Sequence, residues 1–311
     1  MYLVTGGAGF IGSNLVHALV ERRQPVRVLD DLATGRLSNL EPVMHSIDFV
    51  EGDIRDLGMC RKAMQGIRFV LHQAALPSVP RSVKDPLASS AVNIQGTLNL
   101  LVAARDQEVE RFVFASSSSV YGDTPTLPKV ESMTPSPQSP YAVTKLTGEH
   151  FCRVFARAYG LSTIALRYFN VYGPRQDPTS TYAAVIPRFI MGCLNGTPST
   201  IFGDGEQSRD FTFVEDCVAA NLLACEAEIA GGEVCNIGTG SHITVSELHA
   251  TIRRLAGKGS LPEFGPPRAG DVKHSLADIG QAKALLGYVP RCDVKDGLAK
   301  TVDWFRNSTG K

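Results

Sequence analysis

Thr5-Gly6-Gly7-Ala8-Gly9-Phe10-Ile11-Gly12 decides the fold of this 311-residue chain. It follows the apolar run Met1-Tyr2-Leu3-Val4 and precedes Ser13-Asn14-Leu15-Val16-His17-Ala18-Leu19-Val20, so a short strand, a glycine turn and an amphipathic helix succeed one another. In Gly6-x-x-Gly9-x-x-Gly12 the first glycine lets the chain turn out of the strand, the second lets backbone N–H groups approach a pyrophosphate, and the third lets the helix pack on the sheet. The phosphates of a dinucleotide then sit at the positive N-terminus of that helix. A second apolar strand, Val26-Arg27-Val28-Leu29, ends in Asp30, about 20 residues past the loop, where a carboxylate can accept the adenosine ribose hydroxyls. That carboxylate would repel the 2′-phosphate of NADP, so Asp30 points to NAD.

Apolar residues make up 43% of the chain and charged residues 20%, the balance of a globular protein with material for one large or two ordinary domains. Lys plus Arg and Asp plus Glu each number 31. Zero net charge gives no basic excess for nucleic acid or an anionic membrane, so an anionic ligand has to be met by a few placed cations. No apolar run approaches the roughly 18 residues of a membrane span, and no signal segment precedes the first strand, so a cytoplasmic protein with no membrane partner is expected. The seven cysteines (Cys60, Cys152, Cys193, Cys217, Cys225, Cys235 and Cys292) form no C-x-x-C pair and read as reduced core thiols, not as a disulfide frame or a metal site.

Along the chain, alternation over residues 46–51 predicts a third strand that leads into Gly52-Asp53-Ile54. Asp53 and Ile54 either flank an adenine ring or, in the case of Asp53, merely turn the chain. A fourth strand, residues 68–72, runs into Gln73-Ala74-Ala75, whose small side chains leave room for the nicotinamide half of the cofactor. Pro86–Asp106 is a long helical pattern with proline at its start. On it, Asn93 bonds either to the cofactor or only to the backbone. The fifth strand, residues 111–115, precedes Ser116-Ser117-Ser118-Ser119, and hydroxyls at the carboxyl end of a parallel strand lie where open α/β sheets bind ligands. A proline-rich loop over 123–140 is long enough to form part of the site wall. Ser139 then caps a helix through Tyr159 on which Tyr141 and Lys145, four apart, share one face. A phenol with an ordinary pKa of about 10, beside an ammonium and a cationic nicotinamide, becomes a base able to work near neutral pH. A sixth strand, residues 162–167, opens into Tyr168-Phe169-Asn170-Val171-Tyr172-Gly173-Pro174, beyond which short elements rich in Gly and Pro begin. The expected architecture is α/β: a doubly wound parallel sheet (Rossmann) over residues 1–168 that also receives 211–237, with a smaller α/β substrate-binding domain over 169–311. There Arg188, Arg209 and Arg268 are guanidinium forks suited to a diphosphate.

The glycine loop, the serine-rich strand end and Tyr141-x-x-x-Lys145, with the blocks Arg167-Tyr168-Phe169-Asn170-Val171-Tyr172-Gly173-Pro174 and Arg268-Ala269-Gly270-Asp271, make the chain resemble an extended short-chain dehydrogenase/reductase of the nucleotide-sugar epimerase kind over essentially its whole length. Through Ala75-Leu76-Pro77-Ser78-Val79-Pro80-Arg81-Ser82 and Tyr182-Ala183-Ala184-Val185-Ile186-Pro187 it is similar to the bacterial UDP-N-acetylglucosamine 4-epimerases related to UDP-galactose 4-epimerase. The resemblance implies NAD-dependent 4-epimerisation through a 4-keto sugar, of UDP-N-acetylglucosamine and also of UDP-glucose. The narrower alternatives are UDP-glucose and UDP-galactose only, or UDP-glucuronate. Dehydratases and decarboxylases of this fold need an acid where Ser118 and Ser119 stand.

By the same resemblance Tyr141 takes the sugar O4 proton with Lys145 beside it, and Ser117 hydrogen-bonds O4. NAD would contact Gly6, Gly9, Phe10, Ile11, Gly12, Asp30, Asp31, Asp53, Ile54, Gln73, Ala74, Ala75, Asn93, Ser116, Tyr141, Lys145 and Tyr168. The UDP-sugar would contact Ser78, Ser117, Ser118, Asn170, Ala184, Val185, Thr200, Phe202, Arg209, Arg268, Asp271 and Ser275. Ser275, five residues beyond Gly270, would line the space beside the sugar's C2 substituent, where a small side chain leaves room for an acetamido group. Leu100, Val154, Phe155 and Ala158 give the two long helices a second apolar face, and in the family such helices pair across a two-fold axis, so a homodimer is expected. Because the cofactor is not consumed, NAD should be tightly retained.

Overall fold

Six strands alternate with helices in the first part of the chain: β1 (Tyr2–Thr5), β2 (Val26–Asp30), β3 (Asp48–Glu51), β4 (Phe69–His72), β5 (Arg111–Ser117) and β6 (Thr163–Tyr168). The computed structural model describes residues 1–178, 184–267 and 273–309. All six strands pair in parallel in the order β3-β2-β1-β4-β5-β6, and Glu233–Ile237 joins as a seventh strand beside β6. Every residue of β1, β4 and β6 is buried, as a parallel sheet covered on both faces requires. Phe10–Glu21 and Val214–Glu226 cover one face, with Leu15, Leu19, Cys217 and Val218 in its core. Leu57–Met64, Thr97–Asp106 and Pro140–Tyr159 cover the other. This is the doubly wound α/β (Rossmann) arrangement. Strand order reverses between β1 and β4, which opens a crevice at their carboxyl ends.

A smaller cluster is built from Val185–Asn195, Val245–Ala256 and Val294–Thr309, packed around Phe189, Leu248 and Phe305. Two short sheets flank it, Thr200–Phe202 with Glu263–Gly265 and Ser208–Arg209 with Ile243–Thr244. All seven cysteines are free and six of them are buried.

Four details differ from the sequence pattern. Pro86–Asp106 is not uniformly α-helical: residues Ala91–Gly96 form π turns. The Thr97 hydroxyl donates to the Asn93 carbonyl at 2.7 Å, and a side chain at Gly96 would run into Ile54, so the turn is wider and close-packed there. Contrary to the expectation for apolar runs, this 21-residue stretch is long and apolar enough to span a membrane, but half of its most apolar part is buried inside the protein, as in a core helix. Ser78 caps a short helix, Val79–Lys84, that the pattern does not signal. Leu100 and Phe155 are buried in the protein's own core and supply no second apolar face, whereas Val154 and Ala158 are exposed.

The helix that carries the site begins with Pro140 behind Ser139, whose hydroxyl accepts the Ala142 N–H at 3.2 Å, and ends at Gly160 with φ +71°. Gly148 lies against the Phe114 ring of β5 so closely that a Cβ would overlap it. The next residue, Glu149, meets Arg167 of β6 in a bidentate pair, Nε to Oε1 at 2.8 Å and Nη2 to Oε2 at 2.7 Å, and also accepts the Ser116 hydroxyl. Both side chains are almost wholly buried. Glu149→Leu leaves the Arg167 charge buried without its partner, so a loss of about 3–5 kcal/mol is expected. The check is the urea unfolding midpoint, which should fall clearly; an unchanged midpoint would show that the pair does not hold helix to sheet.

Candidate functional site

At the carboxyl end of β1, Gly6 takes φ +67°, and a side chain at Gly12 would overlap the Gly6 carbonyl. The Phe10–Glu21 helix starts at Gly9 with no side-chain cap, so the N–H groups of Phe10, Ile11 and Gly12 face outward as acceptor-seeking donors. Asp30 holds the loop: its carboxylate accepts the N–H of Ala8 at 2.9 Å and of Leu32 at 2.8 Å, and burial raises its pKa. Uncapped donors, a glycine cradle and a carboxylate at the next strand end fit a dinucleotide. Asp31 is exposed beside it and turns the chain through the Ala33 N–H.

Other residues assigned to the cofactor also bond within the protein. Asp53 turns the chain, accepting the Arg55 N–H at 2.8 Å and its guanidinium. Ile54 is 5% exposed and packs against Gly96. Asn93 accepts the Leu76 N–H at 2.8 Å and donates to the Thr144 hydroxyl at 3.1 Å. Gln73 and Tyr168 close a triangle with Asn221, at 3.1 Å from Gln73 Nε2 to both partners. Ala74 and Ala75 remain partly open at the end of β4.

The catalytic candidates meet where the Pro140–Tyr159 helix crosses the end of β5. Lys145 Nζ donates to the Ala115 carbonyl at 2.7 Å and lies 5.9 Å from the centre of the Tyr141 ring. Burial takes the Lys145 ammonium down to about 8. Burial also pushes the Tyr141 phenol up to about 12, and the Ser117 hydroxyl bonded to it pulls the other way. In the protein alone desolvation therefore outweighs the Ser117 hydrogen bond, whereas the expected lowering of the phenol concerns the site with a cationic nicotinamide in place. Ser117 also accepts the Ser119 N–H at 3.2 Å, and Ser118 is partly buried at the start of the turn Ser118–Tyr121.

A cleft of about 600 Å³ brings together Asn170, Ala184, Val185, Thr200, Phe202 and Arg209. Arg188 and Pro80 also line it. Pro80 lies two residues from Ser82, whose hydroxyl accepts the Tyr141 N–H at 3.0 Å, so the cleft adjoins the Tyr141 turn. Ser275 Oγ accepts Asn170 Nδ2 at 3.2 Å. Ser78 caps the neighbouring helix through the Arg81 N–H. Arg268 and Asp271 lie outside the described residues. A second cavity, about 630 Å³, lies at the opposite strand ends beside Tyr2 and Arg111 and holds none of these groups.

Several supporting residues have no local sequence signal. Thr97 gives its proton to Asn93, so it accepts from His72 Nε2 at 2.9 Å; Thr5, which accepts the Ala74 N–H, bonds His72 Nδ1 at 2.7 Å. The imidazole is thus held neutral in one tautomer, and burial takes its pKa down to about 3. The loop over 123–140 is stitched to the second part of the chain by Lys129, bonded through its backbone to Leu276 and Asp278.

The chain matches the NAD dependent epimerase/dehydratase family over residues 2–238. A UDP-glucose 4-epimerase of Mycolicibacterium smegmatis is 41% identical over 311 residues, covering 99% of this chain and 99% of that one. A UDP-N-acetylglucosamine 4-epimerase structure from Methanobrevibacter ruminantium M1, in complex with UDP-N-acetylmuramic acid, superposes with a TM-score of 0.94 at 40% identity, covering 99% of this chain and 98% of that one. A Thermus thermophilus UDP-glucose 4-epimerase in complex with NAD gives 0.90 at 39% identity, with 99% of each chain covered.

In cofactor-free protein, ultraviolet titration of wild type against Tyr141→Phe should show the Tyr141 phenolate appearing only towards pH 12. A Tyr141-dependent step near neutral pH would contradict the dominance of burial.

Proposed function

The chain belongs to the NAD dependent epimerase/dehydratase family, and on that premise we propose that it is a UDP-hexose 4-epimerase that interconverts UDP-N-acetylglucosamine with UDP-N-acetylgalactosamine, and UDP-glucose with UDP-galactose alongside. One observation carries the reading: Tyr141, Lys145 and Ser117 converge at the end of β5, and the turn that carries Tyr141 adjoins, through Ser82 and Pro80, a cleft lined by the cations Arg188 and Arg209. Bound NAD supplies reversible hydride transfer at the sugar C4, so that a 4-keto sugar forms and is reduced on its other face. Tyr141 Oη takes the O4 proton and returns it. Ser117 Oγ bonds O4 and holds it against the phenol. Lys145, its charge buried beside the Tyr141 ring, favours the phenolate over the phenol. Arg209, anchored through the Ser208 and Lys273 carbonyls at 2.9 and 3.0 Å, holds the diphosphate, with the uracil against Thr200 and Phe202. Ser118 and Ser119 put no acid beside the sugar to assist an elimination, which favours epimerisation over dehydration or decarboxylation.

The acetamido preference rests on Ser275. Its hydroxyl is bonded to Asn170 in the cleft wall, and a side chain this small leaves space beside C2. Wild type incubated with UDP-N-acetylglucosamine, UDP-glucose and UDP-glucuronate, with proton NMR of the products, should epimerise the first two. Ser275→Tyr should lose the acetylated pair by about tenfold or more while keeping the unacetylated one. Unchanged proportions would mean that Ser275 is not the gate.

The protein acts as a homodimer on this reading. Leu87 is 82% exposed, and Val83, Val143 and Val154 are exposed on neighbouring helices, an apolar surface of the kind that a second copy covers. Light scattering at micromolar concentration should give twice the chain mass of 33.5 kDa; a single chain mass would reject the dimer.

A further inference from the structure

The glycine loop is enclosed by two segments far apart in sequence. On one side the Arg36 N–H and Asn39 Nδ2 both donate to the Ala8 carbonyl, at 3.0 and 2.9 Å. On the other, Asn14, buried on the helix that follows the loop, donates to the Pro174 carbonyl at 3.1 Å and accepts Arg175 Nη2 at 3.0 Å. Arg36 and Asp177 join the two sides, Nη2 to Oδ1 at 2.8 Å. The Phe10 carbonyl closes the ring by accepting Asn14 Nδ2 at 2.9 Å. Hydrogen bonds and the short chain segment from Arg175 to Asp177 therefore link Ala8, Arg36, Asp177, Arg175 and Asn14 back to Phe10, beside the first-turn N–H groups suited to a diphosphate. Arg175 sits at φ +69°, a conformation that a non-glycine residue keeps only where its surroundings over-determine it. No local pattern requires that turn, but the ring does.

We propose that Arg36, Asp177, Arg175 and Asn14 form a clasp that retains NAD: the ring has to open before the dinucleotide can leave, so these are positioning residues that set the rate of release. The inference rests on the reading that NAD is the cofactor. The two latches differ in kind. The side chains of Arg36 and Asp177 are 50% and 33% exposed, so their attraction is modest and screened by salt. The Arg175 bond to Asn14 is charge-assisted and better shielded, which makes it the stronger latch.

The test loads the full chain with NAD, removes the excess, and follows displacement by NADH from the rise in its bound fluorescence. Wild-type release should quicken with added salt. At low salt Asp177→Asn and Arg36→Gln should each release NAD about two- to fivefold faster and lose the salt response. The double variant should be no faster than the faster single one, because both remove the same contact. Arg175→Met should release about tenfold faster. If all the variants release at the wild-type rate with the wild-type salt response, or if the two single effects multiply in the double variant, the clasp is overturned while the epimerase reading stands on turnover. A wild-type protein that takes up no NAD overturns the cofactor reading and the clasp together.

Discussion

The structure depends on how closely one helix lies on one strand. Gly148 has no side chain to hold the Pro140–Tyr159 helix away from Phe114, so the helix backbone rests on that ring. Residues at four-residue steps on the same helical face then reach the end of β5 together. Tyr141 meets Ser117, Lys145 meets the Ala115 carbonyl, and Glu149 meets Ser116 and, across the next strand, Arg167. A side chain at 148 would overlap the Phe114 ring. The candidate groups are thus positioned by a packing contact and a buried ion pair behind them, together with their own bonds to Ser117 and the Ala115 carbonyl.

Burial governs the electrostatics of the site more than pairing does. It raises the Tyr141 phenol to about 12 and lowers the Lys145 ammonium to about 8, and it raises Asp30 despite two N–H donors. In such surroundings a single added charge acts far more strongly than it would in water. A chain of zero net charge can therefore handle an anionic substrate with a few arginines placed on the cleft wall.

The parts legible in the sequence are those whose chemistry lies within a few residues. The glycine spacing, Asp30 at the next strand end, the Ser139 cap and the four-residue step from Tyr141 to Lys145 each encode a local geometry, and each reappears in the structure. What stayed hidden depends on partners distant along the chain. Asn14 meets Arg175 and Gln73 meets Asn221, and neither pair has a spacing to read. The π turns at Ala91–Gly96 occur where Thr97 bonds the Asn93 carbonyl and Gly96 packs on Ile54, features that the same apolar periodicity does not reveal. Asn93, Gln73 and Tyr168 lie at the expected place, but their polar groups bond the protein, because buried donors and acceptors take the partners that folding brings within reach.

In the proposed reaction Tyr141 is the group that takes and returns the O4 proton. The most direct test of that role is turnover of UDP-N-acetylglucosamine and UDP-glucose by Tyr141→Phe loaded with NAD. Turnover should fall by about 100- to 10,000-fold with NAD still bound. Near-normal turnover by that variant would contradict the role.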